Sequence, residues 1–308
     1  MDKKNHMTEI NRITAEDMIH RSSTLKEFWR IFSSHRGALM GLVFLTLILL
    51  CTIFASNLAP YDPLEQFRDH MLTPPSWVEG GSSEFLLGTD EIGRDMLSRL
   101  IYGGRWAFLV GFSSVILSLI PSIFIGLVAA FFPKILGSIF MRIADIMMAL
   151  PTFLLALVIV AVLGPGVFNA VIAIALGSIP GYVRLIRGMA IVEINKEYVF
   201  SARIAGASIW RLMFLTVFPN CFAPILISAV GGVAGAALTG AALSFVGLGI
   251  PPPTPDWGAM LSGARDYIES AWWLITMPSI VIIFLVLSIN LVGDGLRDAL
   301  DPKLKRNH

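Results

Sequence analysis

Ile191-Val-Glu-Ile-Asn-Lys-Glu-Tyr-Val-Phe-Ser-Ala-Arg-Ile-Ala-Gly-Ala-Ser-Ile-Trp-Arg-Leu-Met-Phe-Leu-Thr-Val-Phe-Pro-Asn220 is a polar island between two apolar segments. Its pattern predicts two short helices hinged at Gly206. Asn195 and Ser208 are the expected N-caps, because their side-chain oxygens can accept from the free N–H groups of a first turn. Gly206 is the expected break, because helices commonly end on a residue with positive φ, which glycine adopts at low cost. A compact helix-turn-helix held between apolar stretches suits docking onto a soluble partner.

The rest of the chain says where that hairpin sits. Of 308 residues, 55% are hydrophobic and 15% are charged. Soluble domains are usually about one-quarter charged. The sequence is therefore that of an all-α integral membrane protein. A spanning helix needs ~20 mostly apolar residues. Six segments qualify: about 38–59, 106–132, 139–163, 167–186, 220–248 and 271–292. The first is no secretory signal, since a long polar stretch precedes it and it exceeds an h-region in length. Cys51 and Cys221 are the only cysteines, too few for a disulfide framework. They are expected to be small buried side chains.

Six spans put both termini on one side, and the basic residues say which. The N-terminal tail carries seven Lys or Arg, the 133–142 turn two, the 184–211 stretch five and the C-terminal tail four. The opposite face carries Arg68, Arg94, Arg99, Arg105 and Arg265. The positive-inside bias places both termini and the polar island in the cytoplasm. The expected organisation is then a cytoplasmic tail over 1–37, a six-span domain over 38–293 and a cytoplasmic tail over 294–308. The span domain includes an outer loop, 60–105, and a cytoplasmic loop, 189–219. Trp272 and Trp273 suit an interfacial belt at the outer end of the sixth span.

Leu25, Phe28, Trp29 and Phe32 recur at helical spacing, and Thr24 with Glu27 forms a capping-box pattern. This is an amphipathic helix, expected to lie in the cytoplasmic interface. The alternative is packing on the protein's own cytoplasmic face. Segment 60–105 holds Pro60, Pro63, Pro74 and Pro75, and is expected to be a loop that becomes helical from Leu86 toward Tyr102. Gly231, Gly235, Ala236, Gly240 and Ser244 give the fifth span a small-residue face. Such a face serves tight helix packing within the chain, or lines an interface or pathway.

No catalytic constellation is visible. The five histidines are scattered outside the spans, and no Gly-x-x-x-x-Gly-Lys-Ser/Thr phosphate loop occurs. The chain is expected to be a non-enzyme that binds no cofactor, metal or nucleic acid. Asp145 is the one acid near a span. Arg142, three residues earlier, is its expected neutralising neighbour. That scarcity of intramembrane charge disfavours an ion-coupled secondary transporter, the alternative of a different class.

The polar island resembles the coupling loop of permease subunits of ATP-binding-cassette importers. The pattern there is Glu-Ala-Ala, three residues, Gly, nine residues, Ile, one residue, Leu-Pro. Here Ala202, Gly206 and Pro219 match it, while Phe200, Ser201, Thr216 and Phe218 depart from it. The pattern's own acid is thus absent, with Glu197 three residues earlier. Two further stretches, Leu87-Gly-Thr-Asp-Glu-Ile-Gly-Arg-Asp-Met-Leu-Ser-Arg-Leu-Ile-Tyr-Gly-Gly-Arg105 and Leu243-Ser-Phe-Val-Gly-Leu-Gly-Ile-Pro-Pro-Pro-Thr-Pro-Asp-Trp-Gly-Ala-Met-Leu261, resemble signatures of the dipeptide, oligopeptide and nickel permeases. Asn290-Leu-Val-Gly-Asp-Gly-Leu-Arg-Asp-Ala-Leu-Asp-Pro302 matches their end.

The resemblance implies the type I importer permease fold in a bacterial inner membrane. It implies a homologous second permease, two cytoplasmic ATP-binding subunits and a periplasmic peptide-binding protein as partners, beside the bilayer. ATP and magnesium belong to the partner ATPases. Dipeptides or short peptides are the implied cargo, with nickel, glutathione or antimicrobial peptides as alternatives. Glu197, Ala202, Arg203, Gly206, Ala207, Ser208, Arg211 and Pro219 are the implied ATPase-coupling residues. Arg203 and Arg211 either pair with acids on that partner or are solvated inside-face charges.

Overall fold

The computed structural model describes residues 26–300. Among them there is no β-strand, only an isolated bridge between Thr89 and Asp95. A short helix, α1, covers 26–34. There follow α2 Arg36–Ile53, α3 Ala55–Leu58, α4 Met96–Phe131, α5 Ser138–Met148, α6 Thr152–Leu163 and α7 Val167–Ile194. The remainder comprises α8 Glu197–Ile204, α9 Ile209–Arg211, α10 Phe218–Phe245, α11 Trp257–Gly263 and α12 Trp273–Leu300. Five helices are long and apolar enough to cross a membrane, and α5 and α6 form a bent pair that together has the length and apolarity of a broken span or a re-entrant loop. α4 packs along α7 and α10, α2 lies on α12, and α10 bridges α4 and α12.

The apolar segment expected over 139–163 is not one continuous helix. The chain turns by 88° between α5 and α6. Pro151 is extended there, with φ −53° and ψ 135°. A proline disfavours helical backbone at the residue before it and cannot donate into the ladder. Composition is apolar on both sides of the turn, so hydropathy alone hides it. Proline inside a helix can be tolerated when neighbouring groups re-satisfy the backbone. Near Pro121 in α4, the Ser122 hydroxyl donates to Ser118 O at 2.6 Å and lies 3.3 Å from Ile179 O of α7.

Segment 60–105 is better built than the expected loop. Phe85 is fully buried against Tyr61 and Phe67, with ring centroids 5.4 and 5.1 Å away. Residues 86–95 are not helical. Gly88 and Gly93 take φ near +80°, and Asp90 Oδ1 accepts from Ile92 N and Arg94 N. α4 starts only at Met96, where Asp95 caps it by accepting from Ser98 N at 2.7 Å. The Asp90 carboxylate is gripped by Arg94 Nε at 2.6 Å, with Arg99 Nε at 3.5 Å. Trp257 Nε1 donates to Leu100 O at 2.9 Å, and Trp273 Nε1 to Thr89 O at 3.1 Å. Trp273 is therefore an internal strut rather than a belt residue, while Trp272 is exposed.

The amphipathic helix behaves differently from the interfacial expectation. Phe32 is buried against Ala38 and Ala299, while Trp29 stays exposed. The chain's own α12 end thus provides the surface on which Phe32 docks. Thr24 and Leu25 lie outside the described residues.

Candidate functional site

α7 ends at Ile194, and Asn195 closes it. Asn195 has near-helical backbone, φ −84° and ψ 2°, and its amide turns back to donate to Ile191 O at 2.8 Å. It does not cap α8, contrary to the expectation. The N-cap of α8 is Lys196, which has the extended backbone that role requires and no side-chain cap bond. Ser208 does cap α9, its hydroxyl accepting from Arg211 N at 3.4 Å.

The hinge takes a backbone that glycine adopts at low cost. Gly206 takes φ +84°. Ala207 N donates to Ala202 O and Gly206 N to Arg203 O, each at 3.1 Å. These are the paired bonds of a Schellman helix end, which satisfy carbonyls that the helix would otherwise leave free. Ala202 and Ala207 come together in that motif and pack onto the same apolar cluster. Three of the sequence-selected residues thus form one structural unit.

That cluster fixes the hairpin to the spans. Val199, Met213 and Val217 are fully buried with Leu127 of α4 and Ile186 and Ala190 of α7. Trp210 stacks between Phe214, at 6.1 Å, and Phe124 of α4, at 6.4 Å. Pro219 follows a π-helical stretch, Leu212–Val217, which leads from α9 into α10. Proline contributes no N–H, and the wider i→i+5 turns ahead of it absorb that loss.

The buried acid of the hairpin is Glu193, which the sequence analysis passed over. It is 7% exposed, and accepts from Lys196 Nζ at 2.6 Å and from the Tyr198 hydroxyl. Partial burial, then the Glu193 bond and charge, push the Tyr198 phenol well above its ordinary range. Glu197 instead lies exposed in the first turn of α8, with no ion pair among the described residues. Its charge suits the positive end of that helix. One signal for Glu193 was present in the sequence: a single acid flanked by Ile191, Val192 and Ile194.

The outward side of the hairpin is unusually apolar. Phe200 and Ile204, one turn apart on α8, are 63% and 72% exposed. Arg203, on the same helix, and Arg211 of α9 are also exposed, and neither has an acid within ion-pair reach among the described residues. Arginines without internal partners and an exposed apolar pair make a surface complementary to an acidic-rimmed apolar groove.

A second feature lies between α6, α7 and α10. Thr152, Ser178, Tyr182, Gly235 and Thr239 line an open groove of about 450 Å³. The small residues of α10 divide here. Gly240 packs on Val110 of α4, where an added Cβ would sit 2.8 Å from Cγ1. Gly231 and Gly235 face open space. The stripe therefore packs within the chain at one end and is uncovered at the other.

Residues 122–306 match the family described as binding-protein-dependent transport system inner membrane component. Residues 23–75 match the N-terminal transmembrane domain of oligopeptide transport permease C. The di/tripeptide transport system permease protein DppC of Pseudomonas aeruginosa is 59% identical over 92% of this chain and 93% of its own. The dipeptide transport system permease protein DppC of Escherichia coli K12 is 52% identical, over 92% and 94%. The glutathione transport system permease protein GsiD of Pectobacterium atrosepticum is 39% identical, over 91% of each. An inward-facing structure of the MetNI methionine ABC transporter shares the fold, at TM-score 0.54 and 17% identity, over 67% of this chain and 98% of that one. The chain accordingly belongs to the binding-protein-dependent transport-system inner-membrane components, as a multi-pass permease subunit of an ABC importer.

Proposed function

We propose that this permease subunit passes dipeptides and similarly short peptides inward across a bacterial inner membrane. Residues 189–219 lie in the cytoplasm in this reading, with both termini, and 60–105 lies outside. A homologous second permease covers the open α6–α7–α10 groove to complete the pathway. Two ATP-binding subunits dock below, one on each hairpin, and hold the ATP and magnesium. A periplasmic peptide-binding protein delivers cargo to the outer face.

The observation that carries this reading is the two-sided hairpin. Its inner side is locked into the α4–α7 core, and Phe200, Ile204, Arg203 and Arg211 stand exposed on it. Glu197, Ser208 and Pro219 shape the ends of its helices, and Ala202, Gly206 and Ala207 form its turn. A rigid hairpin of this kind transmits rotation of a docked partner to the spans. That is rigid-body switching, with no bond chemistry in this chain.

The cargo is supported by the relatives with peptide permease names, which are more similar than the glutathione permease. Uptake of a labelled dipeptide by a strain lacking this chain tests it. Restoration by the wild-type gene, competed by unlabelled di- and tripeptides but not by glutathione or nickel, is the expected result. Restoration of glutathione or nickel uptake alone would overturn the cargo assignment.

A further inference from the structure

α5 is a short amphipathic helix set at 88° to the crossing helix that follows it. Ile139, Ile143 and Ile146 lie on one face at i, i+4 and i+7, and are 49%, 50% and 73% exposed. Arg142 and Asp145 are also exposed. A helix bent out of the crossing direction, apolar on one face and charged on another, has the character of an element lying in a membrane interface.

Beside α5 is a pocket of about 450 Å³, reaching α7 and the turn that begins at Pro133. Arg142, Arg184, Arg187 and Asp145 supply its charge. Asp145 pairs with Arg184 of α7 and not with Arg142, correcting the sequence expectation. The i,i+3 spacing permitted the local pair, but the packing of α5 on α7 brings a different guanidinium to the carboxylate. Two arginines are left in excess. Arg142 has no acceptor among the described residues, and Arg187 Nε is buried with no hydrogen-bond partner. Three arginines against one carboxylate leave the pocket with excess positive charge, which suits an anion.

We propose that Arg142, Arg184 and Arg187 hold the phosphate of an anionic phospholipid of the cytoplasmic leaflet, whose chains run beside the isoleucine face of α5. Arginine presents planar N–H pairs that match phosphate oxygens. Basic pockets between membrane helices on the cytoplasmic side recognise such headgroups. Asp145 adds a selective element. Its negative charge beside the site favours a singly charged phosphodiester over the more highly charged free phosphate. The leaflet assignment rests on the cytoplasmic orientation proposed above.

Native mass spectrometry of the full chain with its copurifying subunits, delipidated and titrated with phosphatidylglycerol, tests the site. Wild type is expected to retain phosphatidylglycerol and not phosphatidylcholine. Arg142→Gln should weaken binding about fivefold, and Arg142→Gln with Arg187→Gln about 25-fold, on the usual contribution of one basic residue near an anionic surface. Arg142→Lys, which keeps the charge but loses the planar fork, should bind more weakly than wild type and more tightly than Arg142→Gln. Equal binding by wild type and double variant, or no binding by wild type because a partner subunit covers the pocket, would overturn the proposal. Displacement of the lipid by millimolar inorganic phosphate would assign the pocket to a free anion and overturn it too. Ser138→Cys, exposed at the start of α5, separates the orientation from the site. Labelling of this variant in intact cells by an impermeant thiol reagent would refute the leaflet, while the arginine dependence would still report the phosphate contact.

Discussion

Replacing Gly206 by valine should detach the ATP-binding partner while leaving the spans inserted. Gly206 sits at φ +84°, and a Cβ built there meets nothing within 4 Å. The penalty is therefore conformational, with no internal steric clash. Valine is β-branched and strongly disfavoured in left-handed backbone. Strain of this kind costs about 1–3 kcal/mol. Relief would require breaking the two 3.1 Å Schellman bonds, which sets a similar scale. Either way the presented hairpin geometry is disfavoured about 5-fold to 150-fold. The apolar cluster beneath, from Leu127 to Val217, does not include Gly206 and should hold. Membrane yield of Gly206→Val should match wild type, while ATP-binding subunits co-purify poorly and dipeptide uptake falls in proportion. Gly206→Asn should retain most function, because asparagine tolerates this backbone. Full subunit recovery and wild-type uptake by Gly206→Val would refute the reasoning.

Glu193→Ala should loosen the hairpin by leaving Lys196 and Tyr198 without their shared acceptor, seen as faster proteolysis at 195–208 in the purified protein. Gly235→Trp should fill the open groove and stop uptake without lowering membrane yield, since an added Cβ there meets nothing within 4 Å and faces the groove. Burial holds the Asp95 carboxyl above its ordinary value of 3.8, more than its bonds to Ser98 lower it. Its stabilising contribution is thus complete below 3.8 and is lost as pH rises through the raised folded value. Thermal melts should accordingly show the outer cap gaining stability on acidification from neutral pH toward that window. Asp95→Asn, which keeps an N-cap acceptor, should flatten that trend. Gly103→Ala would place a methyl 2.5 Å from Trp257 Nε1 and should lower stability by about 1–3 kcal/mol, measured as a shift in the same melts.

The parts of this fold that were legible in the sequence are those set by local rules. Length and hydropathy locate the crossings, because every backbone polar group in the bilayer must bond within its own helix. Gly206 was legible because positive φ is nearly a glycine property, and Ser208 because its hydroxyl acts on its own first turn. What escaped depends on groups far apart in sequence. Asp145 chose Arg184 over the nearer Arg142. Phe32 found Ala299, and Trp273 found Thr89. Asn195 looked like a cap but served the helix behind it. The turn at Pro151 was hidden by uniform apolarity, although proline there was the available sign. Glu193 was hidden by attention to the motif position, where the acid is missing.

The central claim is that the outer side of the 189–219 hairpin is the seat of an ATP-binding subunit. Site-specific photocrosslinking from position 200 tests it most directly, with a benzoylphenylalanine in place of Phe200 and the co-expressed ATP-binding subunit carrying a tag. The account predicts a crosslink to that subunit from position 200, and none from position 139 on the isoleucine face of α5. A crosslink from position 139 with none from position 200, in a complex that still transports, would contradict it.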